Sequence, residues 1–211
     1  MNLKLSSKQK FYLAIIVLNT IFIILYLFIK ISYVEKIDQQ ITLFFYNNLN
    51  NDYITNFFLI ITNYTIGTFF GVAFVEIIFF SQKRFQIALI FILSVVFLVL
   101  FNTLIKLIVQ RPRPFITLIK VRFLGDILPL EFSFPSGHSL IAFFIAYFVT
   151  KIFKLNKSLT LMIYILAIVV AFSRIYLGAH YLIDIIAGSI LGTLGGVLSL
   201  AVLRFINYEN Y

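Results

Sequence analysis

FQIALIFILSVVFLVLFNTLIKLIV, the stretch from Phe85 to Val109, is apolar on every side of the helix it would form and has one charged residue, Lys106, near its end. Coiled as an α-helix it makes about seven turns, more than the roughly 20 residues needed to cross a hydrocarbon layer of about 30 Å. A helix without a polar face has no place on a water-facing surface. The stretch therefore reads as a membrane span, and the sequence on either side repeats the pattern.

Toward the N-terminus, a basic turn at Lys83 and Arg84 follows an apolar run from Tyr53 to Phe80. Before that comes a more polar segment, Glu35 to Asp52, and then a first run from Phe11 to Ile31 that includes Asn19 and Thr20. Lys4, Lys8 and Lys10 precede the first run as a secretory leader would, but the run is long for a leader core and no small-residue cleavage site follows. It is expected to stay as an anchor. Toward the C-terminus, an Arg- and Pro-rich connection ends at Phe134. Spans are then expected from Pro135–Ser136 to Phe153, from Leu159 to Phe172, and from Tyr181 to Phe205. The fold class is an all-α polytopic membrane bundle of six transmembrane helices, forming a single domain over residues 1–211.

Composition agrees. The 211-residue chain is 62% hydrophobic and 12% charged, whereas soluble domains are closer to half apolar and a quarter charged. The net charge of +9 is spread among span ends rather than gathered on one face, which argues against nucleic-acid binding. With no cysteine, disulfides and thiolate metal sites are excluded. Lys4, Lys8 and Lys10, Lys83 and Arg84, Lys151, Lys154 and Lys157, and Arg204 all fall on one side of a six-span topology. That side is expected to be the cytoplasm, with both termini there and the protein in the plasma membrane.

The opposite, outer side also holds basic residues: Lys106, Arg111, Arg113, Lys120, Arg122 and Arg174. Three clusters on that side account for several of them. Lys106 is followed by Arg113–Pro114; Pro135-Ser136-Gly137-His138 opens the fourth span; Ser173–Arg174 precedes His180 and Asp184. The chain has two histidines, and both lie in these clusters. One ammonium and two guanidinium forks suit a tetrahedral phosphate dianion. Ser136 is a candidate N-cap, and the free N–H groups of the helix start, beside the bare Gly137, add anion donors. His180 and Asp184 have i, i+4 spacing and share one face of a helix. A carboxylate on one ring nitrogen leaves the other free to attack, and His138 can protonate a leaving alkoxide.

Each residue also has a bland reading. Lys106 and Arg174 can snorkel to the headgroups, His138 can act as a cap, and Asp184 can pair with any nearby arginine. Those readings serve singly, but jointly they need several coincidences on one membrane face.

The pattern Lys106-x6-Arg113-Pro114, Pro135-Ser136-Gly137-His138 and Ser173-Arg174-x5-His180-x3-Asp184 resembles the type 2 phosphatidic acid phosphatase superfamily. The three motifs are in order and unsubstituted, so the resemblance covers residues 106–184 by motif and the rest by architecture. It implies that His180 attacks phosphorus to form a phosphohistidine while Asp184 holds its ring. His138 is implied as the acid and then the base. Lys106, Arg113, Ser136, Gly137 and Arg174 are implied to bind the phosphoryl oxygens. The family works without a metal or other cofactor, and the outer face has no ligand cluster for one. The expected partner is a membrane lipid phosphate: undecaprenyl diphosphate, phosphatidylglycerol phosphate or phosphatidic acid. A lipid phosphotransferase using the same phosphohistidine and a non-enzymatic lipid-binding or transport protein are the alternatives. The related vanadate-dependent haloperoxidases share the oxyanion pocket, and the short six-span chain argues against them.

Two further expectations concern packing. His180, Asp184, Gly188, Gly192 and Gly196 form a ridge whose small members allow close helix approach, as do His138, Ala142 and Ala146. Glu35 to Asp52 is expected to be a short amphipathic helix on the outer interface, with Ile37, Ile41, Phe44 and Phe45 on its apolar face. Glu76 is expected at the inner interface, away from the site.

Overall fold

The computed structural model describes residues 6–49, 51–62, 82–125 and 128–206, and every regular element among them is helical. The chain starts with α1 (Ser7–Phe28), opened by a reciprocal cap: the Ser6 hydroxyl accepts the Gln9 N–H, and the Gln9 side chain accepts the Ser6 N–H. After a sharp bend of 84° comes α2 (Ser32–Leu49). The described helix α3 (Asp52–Thr62) has Thr55 bonded to the Tyr176 hydroxyl at 2.8 Å and Thr62 to Ser173 at 2.7 Å. The remainder of the expected second span, Glu76 included, lies outside the described residues.

The helix that includes the opening stretch, α4 (Gln82–Val109), ends at Gln110, whose φ of +52° turns the chain back. Arg111–Pro112 and Arg113–Pro114 then cannot continue the helix, because proline has no N–H and disfavours helical geometry in the residue before it. A single turn, α5 (Pro114–Thr117), follows. α6 (Gly137–Ile152) opens on the Ser136 N-cap, as expected from the sequence. Its 16 residues reach about 24 Å, short of a full bilayer core. α7 (Lys157–Tyr176) runs a full turn past the expected end at Phe172, so Ser173 and Arg174 belong to the helix rather than to its exit. α8 (Leu182–Ile206) completes the described chain.

Among the described residues, three segments are long and apolar enough to cross a membrane: Phe85–Thr117, Lys157–Tyr176 and Leu182–Ile206. The bent pair of α1 and α2 makes a fourth if counted as one span. Lipid-facing stripes show in the exposure: Leu93, Phe97, Leu100, Leu104 and Ile108 on α4, and Met162, Ile165 and Ile168 on α7, are all exposed apolar side chains.

Packing centres on α6, which lies largely buried and shares its most extensive interface with α8. The expected glycine ridge makes this possible. A methyl group at Gly188 would collide with the Ser136 carbonyl, and one at Gly192 with the Leu140 carbonyl. Phe91 of α4 meets Phe144 and Phe148 of α6 with ring centroids 5.5 and 5.2 Å apart, which fills the α4 side.

Ile37 and Phe44 of the apolar face expected of α2 are left uncovered, while the polar side of the helix packs into the bundle. The helix is present, and its buried residues are Asp38, Thr42 and Tyr46. In a lipid environment the apolar face needs no cover; the polar stripe does, so the polar stripe turns inward.

Candidate active site

α4 and α7 run one way and α6 and α8 the other, so the last turns of the first pair and the first turns of the second meet at one end of the bundle. All eight residues singled out from the sequence lie at that end. His180 sits in the tight turn between α7 and α8 and is 2% exposed. The Arg174 carbonyl accepts the N–H groups of both Ala179 and His180 at 3.0 Å, which staples the turn to the end of α7. Gly178 has φ +72°, and a Cβ there would also lie 2.8 Å from the Arg122 carbonyl, so the turn requires glycine.

The two ring nitrogens of His180 face different partners. Nε2 lies 3.1 Å from Arg113 Nη1, and Nδ1 lies 3.5 Å from Asp184 Oδ2, a long contact for a hydrogen bond. A guanidinium can only donate, so the bond to Nε2 puts the lone pair there and the proton on Nδ1, toward Asp184. Burial lowers the imidazole pKa to about 3; Asp184 opposes the shift and the Arg113 charge adds to it. His180 is therefore neutral at physiological pH.

The sequence had His180 and Asp184 on one helical face. Instead α8 starts at Leu182 and His180 precedes it, while the Asp184 carboxylate folds back to accept the Tyr181 N–H at 3.0 Å. The pair still meets, because an acid in the first turn serves as acceptor for the helix start as well.

Around His180 stand the cations. Arg113, 3% exposed, also donates from Nε to the Glu131 carbonyl at 2.6 Å. Lys106, 5% exposed, bonds the Glu131 carboxylate at 2.6 Å. Arg174 is buried with its Nε unpartnered, within electrostatic reach of Arg113. His138, one residue into α6, lies within electrostatic reach of Arg174, His180, Lys106 and Arg113. Ser136 caps α6 and donates its N–H to the Asp184 carbonyl at 3.0 Å, while Gly137 rests against Asn102. Three buried cations and a helix start around one oriented imidazole form an anion pocket. Among the described residues no group of three His, Cys, Asp or Glu side chains is placed to hold a metal.

Three participants escaped the sequence reading. Glu131 spans the gap between Lys106 and Arg113, and the bond from Lys106 holds its carboxyl below the usual carboxylate range. Arg111, counted earlier only as an outer basic residue, bonds Asp184 through Nη1 at 2.6 Å and Asp38 through Nη2 at 2.7 Å. Asp38 comes from α2, and the one hint of it in the sequence was the i, i+4, i+8 polar stripe Asp38, Thr42, Tyr46.

Residues 87–208 match the PAP2 superfamily, and these contain all three motifs and every residue of the pocket except Asp38. This chain belongs to the PAP2 superfamily. It resembles the undecaprenyl-diphosphatase of Sulfolobus acidocaldarius, with 27% identity over 92% of both chains. The phosphatidylglycerophosphatase B of Bacillus subtilis is 36% identical over 45% of this chain and 47% of its own length. The crystal structure of a transmembrane PAP2-type phosphatidylglycerolphosphate phosphatase from Bacillus subtilis superposes with a TM-score of 0.71 over 92% of this chain and 96% of that one. At 24% identity, that likeness speaks for the fold. As a PAP2 protein the chain is a membrane enzyme of the phosphoric monoester or diphosphate hydrolase class.

Proposed function

We propose that this PAP2 enzyme hydrolyses a phosphate monoester or diphosphate on a membrane lipid through a phosphohistidine at His180. The observation that carries the proposal is the orientation of that imidazole: neutral, buried, with the Nε2 lone pair toward Arg113 and Nδ1 toward Asp184. Arg113 now donates to the lone pair that must attack, so its guanidinium has to transfer to a phosphoryl oxygen when substrate arrives. Nε2 then bonds to phosphorus as the ester or anhydride P–O bond breaks, and His138 protonates the departing oxygen. Positive charge develops on the His180 ring, which shortens the contact with Asp184. In the second half, His138 takes a proton from water, whose oxygen attacks phosphorus, and the P–N bond breaks to release phosphate and free His180. Lys106, Arg113 and Arg174, with the Ser136 and Gly137 end of α6, stabilise the charge on the equatorial oxygens throughout.

Undecaprenyl diphosphate is the substrate proposed first, because the relative named undecaprenyl-diphosphatase matches along nearly its whole length. Phosphatidylglycerol phosphate and phosphatidic acid are the next to test. The pocket is proposed to face the outside of the plasma membrane, with the termini in the cytoplasm.

The test is phosphate release from these three lipids by purified protein in detergent, with EDTA present and His180→Ala alongside. EDTA-resistant turnover that falls at least a thousandfold in the variant is expected, the order of loss seen when a nucleophile is removed. Activity abolished by EDTA would sink the metal-free mechanism. Phosphate appearing on an added lipid or glycan hydroxyl instead of in solution would identify a transferase.

A further inference from the structure

The pocket leaves one strong interaction without a chemical role: Arg111, 8% exposed, is clamped between Asp184 and Asp38. We infer that Asp38 and Arg111 are positioning residues for the His180–Asp184 pair, and that α2 thereby sets the catalytic imidazole. The inference rests on the phosphoryl-transfer reading above.

Asp184 is 0% and Asp38 1% exposed, so neither charge is relieved by solvent. Arg111 divides its fork, giving one terminal nitrogen to each carboxylate. The second Asp38 oxygen accepts the Ile183 N–H at 3.2 Å, inside the first turn of α8 that carries Asp184. The guanidinium lies 4.1 Å from the centre of the Tyr181 ring, and the Tyr181 hydroxyl bonds Thr117. Asp38, Arg111, Tyr181 and Asp184 thus form one buried assembly joining α2, the end of α4 and the start of α8.

Charge explains why Asp38 is needed. Arg111 alone would neutralise Asp184, leaving no net negative charge to stabilise a His180 ring that turns positive during attack. With Asp38 the trio carries a net charge of −1, and Arg111 is held to a single Asp184 oxygen. The other, Oδ2, is then free to face Nδ1 of His180 and the Tyr181 N–H. Without Asp38, the freed Nη2 has no buried partner, and the fork closes on both oxygens of Asp184, since bidentate pairing is the preferred guanidinium–carboxylate geometry.

Asp38→Asn, Asp38→Glu and Arg111→Lys in the full-length detergent-solubilised protein test this, against the same lipid phosphates. For Asp38→Asn, kcat is expected to fall about ten- to a hundredfold with KM within about twofold, the pattern of an interaction made in the transition state. Asp38→Glu is expected to recover most of the loss. A second readout needs no substrate: the chain has two histidines, so proton–nitrogen-15 histidine spectra, assigned with His138→Gln, report the Nδ1–H of His180. The Nδ1–H form, fixed by Arg113, should persist, but its Nδ1–H resonance should move upfield in Asp38→Asn as the contact with Asp184 Oδ2 is lost. Arg111→Lys, whose point charge cannot span both carboxylates, should shift both readouts the same way and serves if Asp38→Asn does not fold. Wild-type kcat or an unchanged Nδ1–H resonance in either folded variant would overturn the inference. Absence of turnover in wild type would count against the phosphatase reading alone, because the Nδ1–H resonance still decides the role of Asp38.

Discussion

His180 shows how burial and hydrogen bonding combine to prepare one atom. Burial holds the ring neutral, and two partners of opposite charge decide which nitrogen keeps its lone pair. Because its folded pKa lies near 3, below the ordinary 6.5, the unfolded chain binds the extra proton between those values. Stability from this residue is complete above about pH 6.5 and declines as pH falls toward 3; thermal midpoints of wild type and His180→Gln should converge along that range. Glu131 occupies Lys106, which a phosphoryl group needs, with a carboxylate side chain that is 63% exposed, and holds Arg113 through its main-chain carbonyl. Glu131→Gln should therefore lower KM by about two- to fivefold, matching the ~0.5–1 kcal/mol of a largely exposed ion pair, as read from initial-rate kinetics. The motif residues were legible in the sequence because each is a rare type in an apolar chain. Asp38 was not, since its partner is far away along the chain and a lone acid in a polar segment reads as solvated.

At the scale of elements, the crossing of α6 and α8 determines how close His138 comes to His180. Gly192 touches the Leu140 carbonyl, and an added Cβ would also lie 3.0 Å from the Phe144 nitrogen, with backbone on both counts. Gly192→Ala is expected to destabilise the protein by about 1–3 kcal/mol and to reduce kcat, with the thermal midpoint in detergent as the measure. The glycine ridge on α8 and the Ser136 cap were legible because spacing and residue type carry them. What covers the polar side of α2 was not. Its apolar residues were read as a membrane-binding face, and Ile37 and Phe44 are exposed; Asp38, Thr42 and Tyr46 find their partners inside the bundle, which no local pattern announces. α7 outran its expected end for a related reason: Ser173 and Arg174 look like an exit from the membrane until Thr62 and the pocket are there to receive them.

For the whole molecule, the alternating direction of α4, α6, α7 and α8 collects the three motifs at one end and leaves Lys151, Lys154 and Arg204 at the other. Orientation in the membrane can be tested directly, because the chain has no cysteine to remove. Leu130→Cys, at a position 94% exposed beside the pocket, should react with an impermeant maleimide in intact cells. Ser158→Cys, exposed at the start of α7, should react only after lysis. The reverse pattern would place the pocket in the cytoplasm.

What the sequence determined by itself is what depends on neighbours in the chain or on residue type: apolar runs that must become helices, prolines that stop them, a serine that caps, and motif spacings that specify a phosphate pocket. Tertiary structure decided how that chemistry is tuned. Which nitrogen of His180 is free depends on Arg113 from the turn after α4, and the charge on Asp184 depends on Arg111 and on Asp38 of α2. Electrostatic interactions act through space across a poorly screening interior, so residues remote in sequence set them, and no local pattern announces them.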